Sequence, residues 1–359
     1  MVRGFTTDRR RLATLRLAAL GISRPASNDP VQVVRELLAV QAQDYEGALW
    51  AIGLRTAAAS RAEIEAAHEA GAIVRSWPMR GTLHFVAAED LGWMLTLTAE
   101  RILRSAAGRH RQLELGASDF DRGAEIAYEA LHGGRSLERR ELLRTFDAAG
   151  LSTAGQRGAH LLLALAVRGH LVLRGKNTWT LAEEWITRSR ELAHDEALHE
   201  LAVRYFRSHG PATVRDLARW SSLTLTDARR AAASARGRLE AVEVEGTEYL
   251  MRPGLEPASD GVWLLPGFDE YLLGYADRSA ALAGADSAIV APGGNGLFRP
   301  TVVIDGEVVG VWRRTTLATS VQLALEPFDS ISPGARGRAA RAASRYGRFL
   351  AVPARVDGP

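Results

Sequence analysis

The 359-residue sequence contains no cysteine. Disulfide bonds, thiolate nucleophiles, cysteine zinc sites and iron–sulfur clusters are therefore all excluded. No stretch approaches the roughly 18 uncharged apolar residues that a membrane-spanning helix needs. Residues 1–11 are already charged, and they lack the apolar region and small-residue cleavage site of a signal peptide. We therefore expect a cytoplasmic protein.

Lysine is also nearly absent, because Lys176 is the only lysine among the 45 basic residues. The net charge of +3 is modest for this length, and 47% hydrophobic with 24% charged residues is ordinary for a globular protein. Arginine offers a planar fork that holds phosphate at two points, although genomic base composition explains the same bias. A near-neutral total also permits a basic groove offset by acidic outer surfaces. Charge alone leaves the partner undecided.

Several signatures of catalytic and metal sites are missing. No Gly-Lys-Ser/Thr exists, which excludes a P-loop, and the glycine-rich run 293–296 is flanked by prolines and predicts a turn. His194 and His199 are five residues apart, which is the wrong spacing for a zinc-binding helix. We therefore expect no metal and no cofactor. Asp269 and Glu270 fit either a pair of catalytic carboxylates or a cap or structural ion pair at a domain junction.

A repeated order of elements indicates the fold. Two or three short helices followed by two strands occur in residues 1–117, again in 118–192 and again in 193–258, which is the order of a winged helix-turn-helix. Residues 259–359 change to strands separated by Gly and Asp turns, closed by a basic helix. The sequence therefore predicts an α+β protein with tandem winged helix-turn-helix units followed by a small C-terminal β-barrel.

The individual elements follow from apolar spacing, caps and turn residues. The predicted helices are 8–19, 30–38, 48–54, 61–70, 119–131, 137–149, 152–168, 196–208, 213–220, 226–235 and 336–349. The predicted strands are 73–77, 82–86, 171–173, 179–181, 239–244, 249–251, 262–265, 288–290, 301–304, 308–312 and 317–325. Asp29, Ser60 and Ser136 are the predicted N-caps of their helices.

Two glutamines interrupt the apolar pattern directly after the second helix. If the chain leaves helical geometry there, Gln41 and Gln43 face one side and address one small target. An amide pair can orient a water or donate to a base, but it cannot serve as a strong base at neutral pH. The alternative, which spacing alone favours, is a pair of helix-end polar residues bonded to backbone.

The segment 74–85 combines Trp77, Arg80 and His84 around a turn that we interpret as the first wing. Aromatic and arginine side chains on one strand pair suit contact with phosphates and bases. The alternative is a core tryptophan with ordinary surface arginines. A further basic cluster lies near Trp312 and consists of Arg299, Arg313 and Arg314.

Four segments resemble the AlkZ/YcaQ-like winged-helix DNA glycosylases: Leu-Ala-Val-Gln41-Ala-Gln43, Met-Arg-Gly-Thr-Leu-His84, residues 265–278 and residues 295–301. The resemblance covers most of the chain. It implies tandem winged helices and a C-terminal β-barrel curved around a DNA-sized cleft. The family's catalytic motif is Gln, an apolar residue, then Gln, or Asp in the YcaQ-like branch. Gln41 and Gln43 match the Gln–Gln branch, with Ala42 as a small apolar residue.

The resemblance further implies a monofunctional glycosylase that hydrolyses the N-glycosidic bond of N7-alkylated purines in double-stranded DNA. That branch includes enzymes that excise bulky adducts and unhook interstrand crosslinks in antibiotic-producing bacteria. Gln41 and Gln43 would then position the hydrolytic water. The expected DNA-contacting residues are Trp77 and His84, which shape the site, and Arg80, Arg299, Arg313 and Arg314, which bind phosphates.

Two non-enzymatic alternatives stay open at this point. One is a non-catalytic winged-helix DNA-binding protein or transcriptional regulator, and the other is a protein that shelters DNA lesions. Tandem units in one chain favour clamping a duplex from one side, whereas many regulators dimerise over half-sites. We therefore expect a bacterial, nucleoid-associated monomer. Asp269, Tyr271 and Arg278 are expected to lock the barrel to the winged helices.

Overall fold

A computed structural model describes residues 5–6, 8–25, 27–282, 287–294, 296–330 and 332–357, so Asn295 of the segment 295–301 lies outside the described residues. The helices are α1 Arg9–Ala19, α2 Pro30–Leu37, α3 Tyr45–Arg55, α4 Arg61–Glu69, α5 Ala88–Gln112, α6 Ala117–Leu131, α7 Arg139–Ala148, α8 Arg157–Val167, α9 Ala182–Trp185, α10 His194–His209, α11 Val214–Ser221, α12 Leu225–Ala235, α13 Glu270–Leu273, α14 Ser287–Val290 and α15 Pro333–Leu350. The strands are β1 Phe5–Thr6, β2 Val40–Gln41, β3 Ile73–Met79, β4 Thr82–Ala87, β5 Leu137–Glu138, β6 Leu171–Arg174, β7 Thr178–Leu181, β8 Glu240–Val244, β9 Thr247–Met251, β10 Val262–Leu265, β11 Thr301–Ile304, β12 Glu307–Thr316, β13 Val321–Pro327 and β14 Ala354–Asp357. No described helix is long and apolar enough to cross a membrane.

Three sheets organise these elements into the predicted α+β fold. The strand orders are β2-β4-β3-β6-β7-β5, β1-β8-β9 and β10-β11-β12-β13-β14. The first sheet joins strands from residues 1–117 to strands from 118–192, because β3 pairs with β6 at Arg75 and Leu173. Hydrogen bonding therefore continues across residue 117. The winged-helix detail and the boundaries after residues 117, 192 and 258 stay predictions.

Many helices and hairpins occur where the caps and turn residues of the sequence predict them. Asp29 accepts a hydrogen bond from the Val31 N–H with Pro30 in the first turn of α2, and Ser60 forms a capping box with Glu63 at α4. Asp305 has a φ of 51° and the next glycine a φ of 96°, as a two-residue hairpin requires. Caps and turns act over a few residues, which is why the sequence reveals them.

Other elements differ from the prediction. Residues 288–290 belong to the helix α14 rather than to a strand, because a three-residue apolar run has no readable period. Ser136 is not a cap: β5 pairs with β7 first, and α7 begins one residue after its N-cap Glu138. Residues 152–156 precede α8 as a turn. The 25-residue helix α5 occupies a region where no helix is predicted.

The C-terminal strands form a curled five-stranded sheet, a half-barrel, where the sequence predicts a β-barrel. In the described part of the chain its hydrogen-bonded order ends at β10 and at β14. The helix α15 packs against both of these outer strands and also against α3. Gly53 of α3 lies so close to Phe349 that an added Cβ would stand 2.5 Å from the ring. The predicted basic helix is therefore confirmed, and it covers the open side of the sheet.

A buried ion pair joins this half-barrel to the N-terminal helices. Arg55 in α3 donates to both carboxylate oxygens of Asp269 at 2.7 and 2.9 Å, and each side chain is 2% exposed. Tyr271 donates to the carbonyl of Gly306 beside α1. The structural reading of Asp269 as a junction ion pair is thus confirmed. Arg278 instead donates to the carbonyl of Leu272, within the C-terminal part itself.

We expect Asp269→Asn to lower the free energy of unfolding by about 3–5 kcal/mol, because the change leaves the Arg55 guanidinium buried without its counter-charge. Urea denaturation measures the difference. Asp195→Asn is the control: it breaks an exposed pair with Arg230 and should cost under about 1 kcal/mol. Equal losses of unfolding free energy in the two variants would contradict the larger contribution expected of the buried ion pair.

Candidate functional site

The two predicted glutamines lie in and directly after the short strand β2. The helix α2 ends at Leu37, and the chain turns through Leu38, whose φ of 68° is rare for a leucine. β2 then pairs antiparallel with β4, so that Gln41 lies opposite His84. The chain has therefore left helical geometry before Gln41, and the reading of this residue as a helix-end polar group is wrong.

The two amides have different surroundings. Gln41 is only 8% exposed, and its Oε1 is a buried acceptor without a hydrogen-bond partner among the described residues. Gln43 is exposed, and its Oε1 accepts from the Leu83 N–H at 3.1 Å. The bond from Gln43 to backbone agrees with one part of the alternative given above, in which both glutamines are polar helix-end residues bonded to backbone. One amide thus faces the interior, and the other stands at the surface two residues later.

A buried arginine holds the peptide between these glutamines. Arg75 in β3 donates from Nε and Nη2 to the carbonyl oxygen of Ala42 at 3.0 and 2.7 Å. Its Nη1 donates to the carbonyl of Lys176, in the turn between β6 and β7. Burial lowers the pKa of Arg75 to about 10, so the guanidinium stays charged at neutral pH. The carbonyl side of the segment is therefore fixed by a charge-assisted fork.

A buried carboxylate holds the N–H side of the same segment. Glu270 Oε1 accepts from the Gln41 N–H at 3.3 Å, and Oε2 accepts from Trp220 Nε1 at 2.7 Å. The His209 Nε2 lies 3.5 Å from the same Oε2. Burial favours a raised pKa for Glu270, but the contact with His209 and the charge of Arg80 prevail and lower its pKa to about 2. Glu270 is thus an ionised group in the interior.

His84 is a neutral histidine beside Gln41. Arg80 donates to His84 Nε2 at 2.9 Å, so the proton lies on Nδ1, which donates to the Thr82 carbonyl at 2.8 Å. Burial and the charge of Arg80 lower the pKa of His84 to about 3. Arg80 itself stands in the β3–β4 turn with a φ of 55°. At neutral pH the surrounding charges are those of Arg80 and Glu270.

Further polar atoms near Gln41 have unused hydrogen-bonding capacity. Ser76 lies opposite His84, which lies opposite Gln41, so the three side chains share one face across β3, β4 and β2. Within the described ranges, Ser76 Oγ, Thr82 Oγ1 and Gln41 Oε1 are all buried without partners. Buried polar atoms normally find protein or water partners, so this row can take water. No cluster able to hold a metal ion occurs among the described residues.

The segment interpreted as the first wing lies inside the six-stranded sheet, with β2 on one side and β6 on the other. Trp77 is half-buried and stacks on Trp179 with ring centroids 5.7 Å apart. His84 is completely buried, and Arg80 is partly buried against it. The structure thus brings Arg80 and His84 to Gln41. DNA contacts by Trp77, Arg80 and His84 stay predictions.

The second basic cluster lies on the C-terminal half-barrel. Arg299 forms an ion pair with Glu326 at 2.8 Å, and Arg313 pairs with the same carboxylate. Arg314 donates to the Tyr346 hydroxyl at 3.0 Å. These contacts connect the cluster to β13 and α15 rather than to the glutamine segment. Phosphate binding by these three arginines stays a prediction.

Sequence reasoning missed the residues that hold the glutamines. Arg75 has no role among the sequence-based predictions, and Glu270 is considered there only together with Asp269. A usable signal exists for Arg75, which follows Ile73 and Val74 in a β-prone run, because a charge inside such a run must find a partner when buried. Glu270 stands beside Asp269 and gives no such signal. His209 and Trp220 carry no comparable signal.

We expect His84→Gln to make the stability less dependent on pH. The folded pKa of about 3 lies below the ordinary 6.5, so the unfolded chain binds an extra proton between these values. Stability is then full above pH 6.5 and is lost as the pH falls towards 3. Urea denaturation at pH 7 and pH 4 should show a smaller loss in the variant. His194→Gln, at an exposed histidine, should behave like the parent. If all three proteins lose the same stability between pH 7 and pH 4, the low pKa assigned to His84 is wrong.

The chain is similar to known DNA glycosylases in sequence and in structure. The family model described as DNA glycosylase AlkZ-like matches residues 34–349, which include both glutamines and Glu270. A Streptomyces sahachiroi protein, the "Interstrand DNA cross-link repair glycosylase", is 29% identical, over 85% of this chain and 86% of the relative. The solved structure of Streptomyces sahachiroi DNA glycosylase AlkZ superposes with a TM-score of 0.81 at 26% identity, covering 98% of this chain and 100% of the other. Because the family model spans most of the sequence, the chain belongs to the AlkZ-like DNA glycosylases.

Proposed function

We propose that this DNA glycosylase hydrolyses the N-glycosidic bond of N7-alkylated purines in duplex DNA, with Gln41 and Gln43 positioning the attacking water. The observation that carries the proposal is the buried Oε1 of Gln41, which has no hydrogen-bond partner in the described part of the chain and lies two residues before an exposed amide. An acceptor of this kind costs stability unless it is used, and such costs concentrate at functional sites. Its natural partner is a water molecule.

The chemistry needs little from the protein. Alkylation at N7 makes the purine cationic, so it departs with the bonding electron pair as a neutral base and needs no acid to protonate it. The sugar becomes oxocarbenium-like at C1′, and the oxygen of water bonds there. The water then loses its proton to solvent. Such weak groups would fail on an undamaged purine, which gives selectivity for lesions.

Two amides suffice to aim this water. Gln41 Oε1 accepts one hydrogen of the water, and Gln43 Oε1 retains a second lone pair beside its bond from Leu83. A water held by two acceptors turns its own lone pair away from them, towards the sugar. Aim of this kind is effective only when the acceptors are rigid. Arg75 and Glu270 supply that rigidity by holding the backbone on both sides of Gln41.

The placement of Gln43 at the surface also bears on the size of the lesion. An exposed amide can act on a sugar at the protein surface, so a bulky adduct need not enter a closed pocket, as full base flipping would require. This supports the excision of bulky N7 adducts and the unhooking of interstrand crosslinks, which is the repair that the S. sahachiroi relative is named for. We further infer that the three helix–hairpin stretches act as tandem winged helices along one side of the duplex, in a single copy of the chain.

Replacing either glutamine should strongly slow base release. We expect Gln41→Ala and Gln43→Ala to slow release of 7-methylguanine from a duplex by about 100-fold or more, because a misaimed water costs that much. Single-turnover release at saturating protein measures the rate. The control is Gln112→Ala, at an exposed glutamine in α5. Tight duplex binding without any release by the unmodified protein would instead favour a non-catalytic DNA-binding protein.

The rate of release should not depend on pH between 6.5 and 8.5. Amides do not titrate, and the pKa values of Glu270 and His84 are about 2 and about 3, well below this window. Each of these groups keeps one protonation state throughout that window. Single-turnover rates across the window test this expectation. A bell-shaped profile would reveal a titrating acid or base and contradict the water-positioning mechanism.

A further inference from the structure

The helix α15 carries an unusual concentration of positive charge. Its 18 residues include five arginines and no acidic residue. Four of these, Arg338, Arg341, Arg345 and Arg348, are spaced by three, four and three positions and so lie along one stripe of the helix. The stripe is about 15 Å long, at 1.5 Å per residue. None of this charge is used by the glutamine site.

These four arginines line one wall of a surface groove, which we call the α15 groove. The groove has a volume of about 330 Å³, and its other wall is formed by Trp50 and Leu54 of α3 and by residues 260–264. Asp260 is the acidic residue in its lining, against four guanidinium groups. A second depression of about 550 Å³ adjoins it at Arg348. The groove is therefore concave and strongly cationic.

Two of the four guanidinium groups have no hydrogen-bond or ion-pair partner among the described residues. Arg345 donates to the Leu54 carbonyl, and Arg338 lies 3.9 Å from Asp305. Arg341 and Arg348 are exposed and form no hydrogen bond or ion pair within the described part of the chain. Burial and then the charge of Arg348 lower the pKa of Arg345, which reflects the positive potential in the groove. An anion placed there would relieve this repulsion.

We propose that the α15 groove binds the phosphodiester backbone of duplex DNA at a position flanking the reactive base. Arginine suits phosphate because its planar fork contacts two oxygens at once. Each strand of the duplex carries one phosphate per 3.4 Å of helix axis, so a 15 Å stripe laid along the axis covers the rise of about four phosphates. The groove therefore matches a continuous polyanion better than a single small anion.

The helix α3 connects the groove to the glutamines. It begins two residues after Gln43, and Leu54 in the groove wall lies eleven residues after Gln43. At 1.5 Å per helical residue the separation is about 16 Å, which corresponds to about five base pairs of DNA. The inference rests on the proposed function in taking duplex DNA as the substrate. It adds an anchor for DNA outside the region where the bond breaks.

The test compares two double variants with equal charge. The groove variant, Arg341→Ala with Arg348→Ala, removes the two groove arginines that have no polar partner among the described residues. The control variant, Arg104→Ala with Arg122→Ala, removes two exposed arginines of α5 and α6. Both lower the net charge by two. Fluorescence anisotropy gives the Kd for an undamaged 30-base-pair duplex from 0.05 to 0.2 M salt, and single-turnover release gives the chemical step.

The groove variant should bind the long duplex more weakly, and the slope of log Kd against log salt should fall by about 1.8, or 0.9 for each lost phosphate contact. Base release at saturating protein should stay within twofold of the parent, because the glutamine segment is untouched. On an 8-base-pair duplex centred on the lesion, groove variant and parent should bind alike.

Equal weakening by both double variants, or an unchanged salt slope in the groove variant, would overturn the proposal. The Tm of each variant checks that the fold is intact, since all four replaced side chains are exposed. If the parent protein binds the duplex but releases no base, the glycosylase mechanism fails. The binding measurement on undamaged DNA still decides the role of the groove in that case.

Discussion

The site depends on the buried contacts of Glu270 and Arg75 with the segment from Gln41 to Gln43, which we call the clamp. A strand of two residues cannot hold its own position, and here two buried charges do so from opposite sides. The carboxylate of Glu270 accepts the Gln41 N–H, and the guanidinium of Arg75 donates twice to the Ala42 carbonyl. Because both ions are buried and bonded, each would be costly to leave unpaired, and the backbone between them has one favourable position.

This clamp draws on distant parts of the fold. Arg75 comes from β3 and also binds the turn at Lys176, so the second hairpin supports the same site. Glu270 begins α13 and follows Asp269, whose ion pair with Arg55 ties the half-barrel to α3. The stretches around Arg75, Lys176 and Glu270 therefore all contribute to holding the segment from Gln41 to Gln43. A pair of neutral amides has little intrinsic reactivity, and a scaffold that fixes their direction compensates for it.

The sequence predicted the α+β class and most hairpins, because these leave local marks. Asp29 and Ser60 cap helices over three residues, and Gly306 follows Asp305 in a turn of fixed geometry. One error lies where a local preference competes with a contact between distant residues: Ser136 resembles a cap, but Leu137 pairs with Trp179 and the helix begins only at residue 139. The predicted β-barrel is a half-barrel, and the predicted basic helix α15 covers its open side.

The sequence by itself determined which side chains are available: two amides two residues apart, an arginine-rich final helix, and no thiol or metal cluster motif. Only the tertiary structure decided which of these meet. Glu270 lies 229 positions from Gln41, and no periodicity or cap relates residues so far apart. Their contact depends on the packing that places the start of α13 against β2. The same packing buries Gln41 Oε1 and exposes Gln43, because burial is set by neighbours in space rather than in sequence.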